Sequence, residues 1–164
     1  MKQILLIYIS FGIFFLNSSC SSENDTSTTE EPLVEEIRLD VAYGDNPQQK
    51  FDLYLPANRS GESTKVIVLI HGGGWTEGDK ADMAYIIPSL KLNHPNHAIV
   101  NMNYVLADLQ IPAFPNQFED VEKVIEKITN EKNELQIKPE FALIGTSAGA
   151  HISLMYDAVY DDGD

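Results

Sequence analysis

Two kinds of hydrophobic pattern alternate along this chain of 164 residues. Around Ile37–Tyr43 and Phe51–Leu55, apolar and polar residues alternate with the period of two that is typical of half-exposed strands. The turn-forming segment Gly44–Pro47 between them favours an antiparallel pair. Three later stretches are continuous apolar runs: Val66–Ile70, Ala98–Met102 and Phe141–Ile144. Such runs suit strands that are covered on both faces, as in a parallel sheet.

Helical patterns separate the apolar runs. Asp79 can cap a helix that Pro88 should kink or end. After Pro115, apolar residues follow the helical period, with Glu119 and Lys123 paired at i,i+4 on the exposed face. The positions expected to face the core are Phe118, Val121, Ile125 and Ile128. This alternation of strands and helices after an antiparallel start predicts an α/β sandwich whose ligand site lies at the carboxyl ends of the strands.

The amino-terminal segment does not share this pattern. Lys2 precedes the apolar stretch Ile4–Leu16, and small residues lead from there to Cys20, the sole cysteine. This order is typical of a secretory signal, and the stretch is shorter than the roughly 17–25 apolar residues of a membrane span. It resembles a bacterial lipoprotein signal, which implies removal of residues 1–19 and a lipid on Cys20. We therefore expect an exported protein that is anchored in the cell envelope, at the periplasm or the outer surface, with simple secretion as the alternative.

Composition restricts the partners of the remaining chain. Residues 20–33 are rich in Ser, Thr and acidic side chains, which predicts a flexible acidic linker before a domain over residues 34–164. The formal net charge of the full chain is −14, and loss of Lys2 with residues 1–19 would leave −15, which makes nucleic acid and anionic lipid surfaces poor partners. Neutral esters are not disfavoured. The histidines have no metal-ligand spacing, so we expect no metal, no cofactor and no protein partner.

Two glycine motifs directly follow two of the apolar runs. Gly145–Gly149, with the sequence GTSAG, sets Ser147 on a sharp strand-to-helix turn, where the flanking glycines avoid collisions with neighbouring backbone. A last helix begins at this turn. His71–Trp75, with the sequence HGGGW, has glycines that let backbone N–H groups approach a developing oxyanion closely. The two motifs together indicate a hydrolase with a serine nucleophile.

These motifs resemble those of the α/β-hydrolase fold, in the esterase branch that has an H-G-G-G oxyanion loop. Further landmarks of that family are matched at Gln49–Pro56, Asn103–Ala107 and Pro112–Val121, so the resemblance covers about residues 35–160. It implies a mostly parallel sheet in which the strands bearing the two glycine motifs are neighbours. The chain departs from frequent family residues at Thr146 and Val105, where Asp and Arg are common.

The resemblance also implies a mechanism. Ser147 would attack an ester carbonyl, and the backbone amides of Gly73, Gly74 and Ala148 would bind the oxyanion. Exported esterases with this HGGGW sequence are similar to bacterial enzymes that remove feruloyl or acetyl groups from plant polysaccharides. A non-catalytic surface lipoprotein that serves as a binding module, or part of a serine peptidase or arylformamidase, are the alternatives.

The base and the acid of the catalytic triad are not recognisable in the sequence. In this fold they follow the serine, and after Ser147 the chain has His151 as its only histidine. We expect His151, one helical turn on, to pack below the reacting centre, and His71 to organise the oxyanion loop. Trp75 either lines a substrate pocket or packs the loop. The sequence therefore predicts the amino-terminal part of a hydrolase, truncated after the helix that follows Ser147 and inactive by itself.

Overall fold

The computed structural model describes residues 32–160. The predicted signal segment 1–19, the lipidation site Cys20 and most of the predicted linker lie outside the described residues. Within the described part, no helix has the length and apolar character needed to cross a membrane.

One five-stranded sheet forms the centre of the described residues. Its strands are β1 (Glu36–Ala42), β2 (Lys50–Leu55), β3 (Val66–Ile70), β4 (Ala98–Met102) and β5 (Phe141–Gly145). The strand order is β1-β2-β4-β3-β5. The pairs β1–β2 and β2–β4 are antiparallel, whereas β3–β4 and β3–β5 are parallel. The α/β fold with an antiparallel start, predicted from the two hydrophobic patterns, is confirmed.

Strand β3 is covered on both faces because two hydrophobic cores meet across it. Val68 belongs to the larger core, which α-helices cover on one face of the sheet, and Leu69 belongs to a smaller core on the other face. Alternate residues of one strand point to opposite faces, so a strand with two covered faces needs an uninterrupted apolar run. All five residues of β3 are buried.

The helices that the sequence predicted are present, although one of them is divided and the short helix Lys132–Leu135 was not predicted. The α-helices are α1 (Ile87–Asn93), α2 (Asn116–Asn130), α3 (Lys132–Leu135) and α4 (Ala148–Tyr160), and a 3₁₀ helix spans Lys80–Ile86. Asp79 caps the 3₁₀ helix as predicted, accepting a 2.8 Å hydrogen bond from the amide of Ala81. The single helix expected here is instead divided, because Pro88 has no N–H and fits only the first turn of a new helix.

The predicted pair between Glu119 and Lys123 on α2 is wrong. Lys123 bonds instead to Asp120, with 2.9 Å between Nζ and Oδ1. Asp120 is only 1% exposed and also accepts hydrogen bonds from Gln49 Nε2 at 2.7 Å and from the amide of Val105 at 2.9 Å. A buried carboxylate requires such partners, so it holds the lysine more firmly than an exposed glutamate would.

Candidate active site

The turn around Ser147 has the strained backbone that its motif predicts. Ser147 has a φ of 50°, in the left-handed region that residues other than glycine rarely adopt. The amide of Thr146 donates a 3.2 Å hydrogen bond to the carbonyl of Ile70, which ties the turn to the end of β3. The carbonyl of Ser147 then accepts from the amide of His151 at 3.2 Å and so begins α4. The serine side chain is left exposed at the carboxyl end of the sheet.

The two glycines of this motif allow α4 to sit directly on the sheet. A Cβ atom at position 149 would lie 2.5 Å from the carbonyl oxygen of His71 and would collide with that of Ile70. A Cβ atom at position 145 would lie 2.5 Å from the amide nitrogen of Ala150. Any larger residue at either position would push the helix, and Ser147 with it, away from the strand ends.

The H-G-G-G loop after β3 owes its shape to glycines in conformations that other residues avoid. Gly73 and Gly74 have φ values of 117° and 57°. A Cβ atom at Gly73 would collide with the backbone of Glu77, whose amide donates a 3.0 Å hydrogen bond to the carbonyl of Gly73. At Gly74 an added Cβ would meet no atom within 4 Å. The loop thus turns tightly at Gly73 and leaves open space beside Gly74.

The two glycine motifs are in direct contact. Ile70 pairs with Gly145 in the parallel register of β3 and β5, so the two strands end side by side. A Cβ atom at Gly72 would lie 2.9 Å from the carbonyl oxygen of Thr146 and 3.3 Å from Cβ of Ser147. The expected adjacency of the strands that bear the motifs is therefore confirmed. Ser147 and the H-G-G-G loop lie at one edge of the sheet.

His71 stabilises the H-G-G-G loop through a hydrogen bond to its backbone. Its ring is 1% exposed, and Nδ1 lies 2.6 Å from the carbonyl oxygen of Gly72, to which it donates in the neutral ring. Burial lowers the pKa of His71, so the ring remains uncharged near neutral pH. The ring stacks on Tyr104 with 4.2 Å between centroids. The Tyr104 hydroxyl, whose pKa burial raises to about 12, donates a 3.0 Å hydrogen bond to the carbonyl of His71.

Comparisons with known proteins agree with this geometry. A family model described as BD-FAE matches residues 51–163. The chain belongs to the BD-FAE family. It shares the α/β-hydrolase fold of esterases, as the sequence predicted.

Among curated proteins, this BD-FAE chain is similar to isoprenylcysteine alpha-carbonyl methylesterase ICME of Arabidopsis thaliana. The two are 29% identical over 124 residues, which are 72% of this chain and 27% of the relative. Esterase LipC of Mycobacterium tuberculosis is 25% identical over 132 residues, covering 76% of this chain and 30% of that protein. The chain thus spans less than a third of the length of these relatives.

Two solved structures extend the comparison. The bifunctional GH43-CE protein of Bacteroides eggerthii is 27% identical with a TM-score of 0.58, covering 71% of this chain and 16% of its own. A bacterial heroin esterase has a TM-score of 0.63 at 24% identity, covering 78% of this chain and 40% of its own, which establishes the shared fold alone.

In the BD-FAE chain, a buried glutamine that sequence reasoning missed holds the end of the H-G-G-G loop. Trp75 has a φ of 70°, and its carbonyl accepts hydrogen bonds from the amide of Ala107 at 2.9 Å and from Gln117 Nε2 at 2.7 Å. Gln117, 1% exposed, also donates to the carbonyl of Val105 at 3.0 Å. Because both partners are carbonyls, the amide nitrogen must face them. A single glutamine in the first turn of a helix gives no sequence signal for this role.

His151 packs against the same loop. Its ring lies edge-on to Trp75, with 5.6 Å between centroids and an interplanar angle of 87°. Among residues 32–160, no side chain hydrogen-bonds to the hydroxyl of Ser147. A general base must come within about 2.6–3.2 Å of the hydroxyl it deprotonates. His151 is therefore described best by its contact with Trp75.

Proposed function

We propose that this chain supplies the nucleophile and the oxyanion hole of a serine carboxylic-ester hydrolase. Ser147 is the proposed nucleophile, and the amides of Gly73, Gly74 and Ala148 are the proposed oxyanion donors. One observation carries the proposal: Gly72 lies against Ser147, whose backbone has a φ of 50°, so a strained serine and a glycine loop meet at the carboxyl ends of adjacent strands. A relaxed surface turn would have no reason to hold a serine in this conformation.

The proposed reaction proceeds in two steps. The hydroxyl oxygen of Ser147 forms a bond to the ester carbonyl carbon while a base takes the hydroxyl proton, and the carbonyl oxygen becomes an anion. Removing one donor of an oxyanion hole typically costs about 2.7–4 kcal/mol of transition-state stabilisation. The ester C–O bond then breaks, and the base returns the proton to the departing alcohol. Water releases the acid from the serine in a second, equivalent step.

We further propose that the 164-residue polypeptide by itself hydrolyses esters negligibly. No described side chain reaches the Ser147 hydroxyl to act as the base, and loss of the catalytic histidine costs subtilisin on the order of 10⁶ in kcat. The measurement is hydrolysis of p-nitrophenyl acetate by the purified polypeptide, with Ser147→Ala as the control. Turnover at ordinary enzyme rates that depends on Ser147 would show that the base is present.

A fluorophosphonate probe tests the nucleophile in a longer form of the protein. Ser147 should be labelled rapidly when a base and an acid are in place, and Ser147→Ala should not be labelled. If a form that extends beyond Asp164 hydrolyses no ester and leaves Ser147 unlabelled, the chain is a binding module on a hydrolase fold. Preferential cleavage of a peptide or of an N-formyl arylamine would instead identify a peptidase or an arylformamidase.

The substrate and the location form the last part of the proposal. We propose esters on acylated polysaccharides as substrates, because the HGGGW motif resembles that of exported esterases with such substrates and the acidic chain disfavours polyanions. Release of acetate or ferulate from acylated xylan tests this choice. A lipid on Cys20 is tested by incorporation of labelled palmitate, which Cys20→Ser should abolish.

A further inference from the structure

An apolar cavity of about 270 Å³ lies beside the proposed active site. Six of the residues that line it are Trp75, Phe114, Phe118, His151, Ile152 and Met155. Trp75 directly follows the proposed oxyanion donor Gly74, and His151 is one helical turn after Ser147. The proposed catalytic residues do not themselves line the cavity, which adjoins the site through Trp75 and His151 on the side where α2 meets α4.

The chemistry of the cavity wall selects for an uncharged apolar group. Phe114 and Phe118 meet at 5.0 Å between centroids with a 59° tilt, and Trp75 meets His151 edge-on, so aromatic rings form much of the wall. A charged group would lose its hydration there, and the lining offers it few polar partners, among them the unpaired Oε1 of Gln117 and the ring of His151. Gln117 offers no donor to an occupant, because its amide nitrogen is engaged by the carbonyls of Trp75 and Val105.

The size of the cavity limits the group that it can hold. An apolar cavity of roughly 150 Å³ accommodates benzene. The 270 Å³ found here has room for a ring or a branched alkyl group with a few further atoms. Phe114 is 62% exposed, and Trp75 is 40% exposed. These large apolar side chains are thus accessible from solvent at the cavity.

We propose that this cavity holds the uncharged apolar group of the ester, and that Phe114 and Met155 determine how large that group can be. The inference rests on the proposed function, since a nucleophile at Ser147 is what makes an adjoining cavity a substrate pocket. Phe114 lies before α2 and Met155 lies on α4, so the two residues limit the cavity from different elements. Neither residue belongs to the proposed catalytic machinery.

Trp75 provides a direct readout, because it is the only tryptophan of the chain. Toluene is the probe, and benzoate is a charged control of similar shape. Titration with toluene should give a saturable change in tryptophan emission, and benzoate should bind about tenfold more weakly or worse. Equal responses to both compounds, or no saturable response to toluene, would overturn the proposal.

Two variants test the size limit. Met155→Phe fills the cavity and should weaken toluene binding about tenfold, whereas Leu154→Phe adds the same ring at the neighbouring position, which is 67% exposed and outside the cavity lining, and should bind toluene like the parent. Phe114→Ala, at an exposed residue, should shift preference from toluene to n-butylbenzene. Unchanged toluene affinity in Met155→Phe, or unchanged preference in Phe114→Ala, contradicts the assignment.

These measurements remain distinct from the test of the proposed function. Toluene cannot be hydrolysed, and Ser147→Ala should bind it like the parent. If toluene binds selectively while a longer form fails to label at Ser147, the cavity is an apolar binding site and the esterase proposal fails. If Ser147 is labelled while toluene does not bind, the esterase proposal stands and this cavity is not its specificity pocket.

Discussion

Strands β3 and β5 are parallel neighbours that each end in a glycine motif, yet they differ in how completely they are covered. Every residue of β3 is buried, whereas no residue of β5 is. Strand β3 pairs with strands on both sides, and β5 has one partner among the described residues. The helix that follows β5 likewise leaves Leu154 67% and Val159 50% exposed. The H-G-G-G loop thus follows a fully buried strand, whereas Ser147 follows a partly exposed one.

This difference shows what an apolar run does and does not specify. Both runs are uninterrupted by polar residues, so each predicts a strand that is suited to cover on two faces. Burial, however, also depends on the elements that pack against a strand. The open side of β5 and α4 forms a depression of about 600 Å³ that includes Phe141, Leu143 and Tyr160. The proposed pocket of Trp75 lies on α4 as well, so that helix borders both regions.

The largest expected effect compares one leucine from each strand, Leu69 facing the smaller core and Leu143 facing the larger one. Leu69 in β3 is fully buried and Leu143 in β5 is partly exposed. Leu69→Ala should lower the free energy of unfolding by about 4 kcal/mol, because it leaves a cavity in a packed core. Leu143→Ala should cost about 2 kcal/mol or less. Urea denaturation of both variants measures the difference, and equal losses would mean that β5 is covered in solution.

A second test compares Gly149, which allows α4 to pack closely on the sheet, with Gly74 in the H-G-G-G loop. Gly149→Ala forces a Cβ against the carbonyls of Ile70 and His71, so it should destabilise the protein by about 3 kcal/mol. Gly74→Ala is the matched control, because its Cβ meets nothing within 4 Å and only the φ of 57° is unfavourable, at about 1 kcal/mol. Thermal unfolding ranks the pair. A reversed order would contradict the close seating of α4 on β3.

The third test concerns Gln117, which links α2 to the loop after β3. Gln117→Leu leaves the carbonyls of Trp75 and Val105 without this donor, and should destabilise the protein by about 2 kcal/mol. It should also alter the emission of Trp75, whose backbone it releases. Gln136→Leu is the control, since this glutamine is exposed and its side chain donates a hydrogen bond to the nearby carbonyl of Asn133. Unchanged Trp75 emission in Gln117→Leu would mean that Gln117 does not hold the H-G-G-G loop in place.

The sequence predicted the features of this fold that depend on local pattern. The bounds of β3 and β4, the cap at Asp79 and the strained turn at Ser147 all follow from periodicity or from the conformational needs of a few residues. Contacts between distant elements were beyond it. Asp120 is buried and accepts hydrogen bonds from Gln49 and from the amide of Val105, and these distant contacts explain why Lys123 pairs with Asp120 rather than with Glu119.

The smallest expected effect is a pH dependence of stability that distinguishes His71, which follows β3, from Glu140, which precedes β5. Burial lowers the pKa of His71, so the unfolded chain binds its proton at a higher pH than the folded chain does. Stability should therefore fall as the pH drops below about 6.5, by at most about 1.4 kcal/mol per pH unit. Next to β5, hydrogen bonds from Lys138 and Lys65 lower the pKa of Glu140. Any stability that the ionised Glu140 contributes is therefore lost only at a more acidic pH. Denaturation between neutral and mildly acidic pH should thus show a slope that His71→Asn reduces and Glu140→Gln leaves unchanged. A slope that His71→Asn leaves intact would mean that burial beneath the H-G-G-G loop does not hold the imidazole neutral.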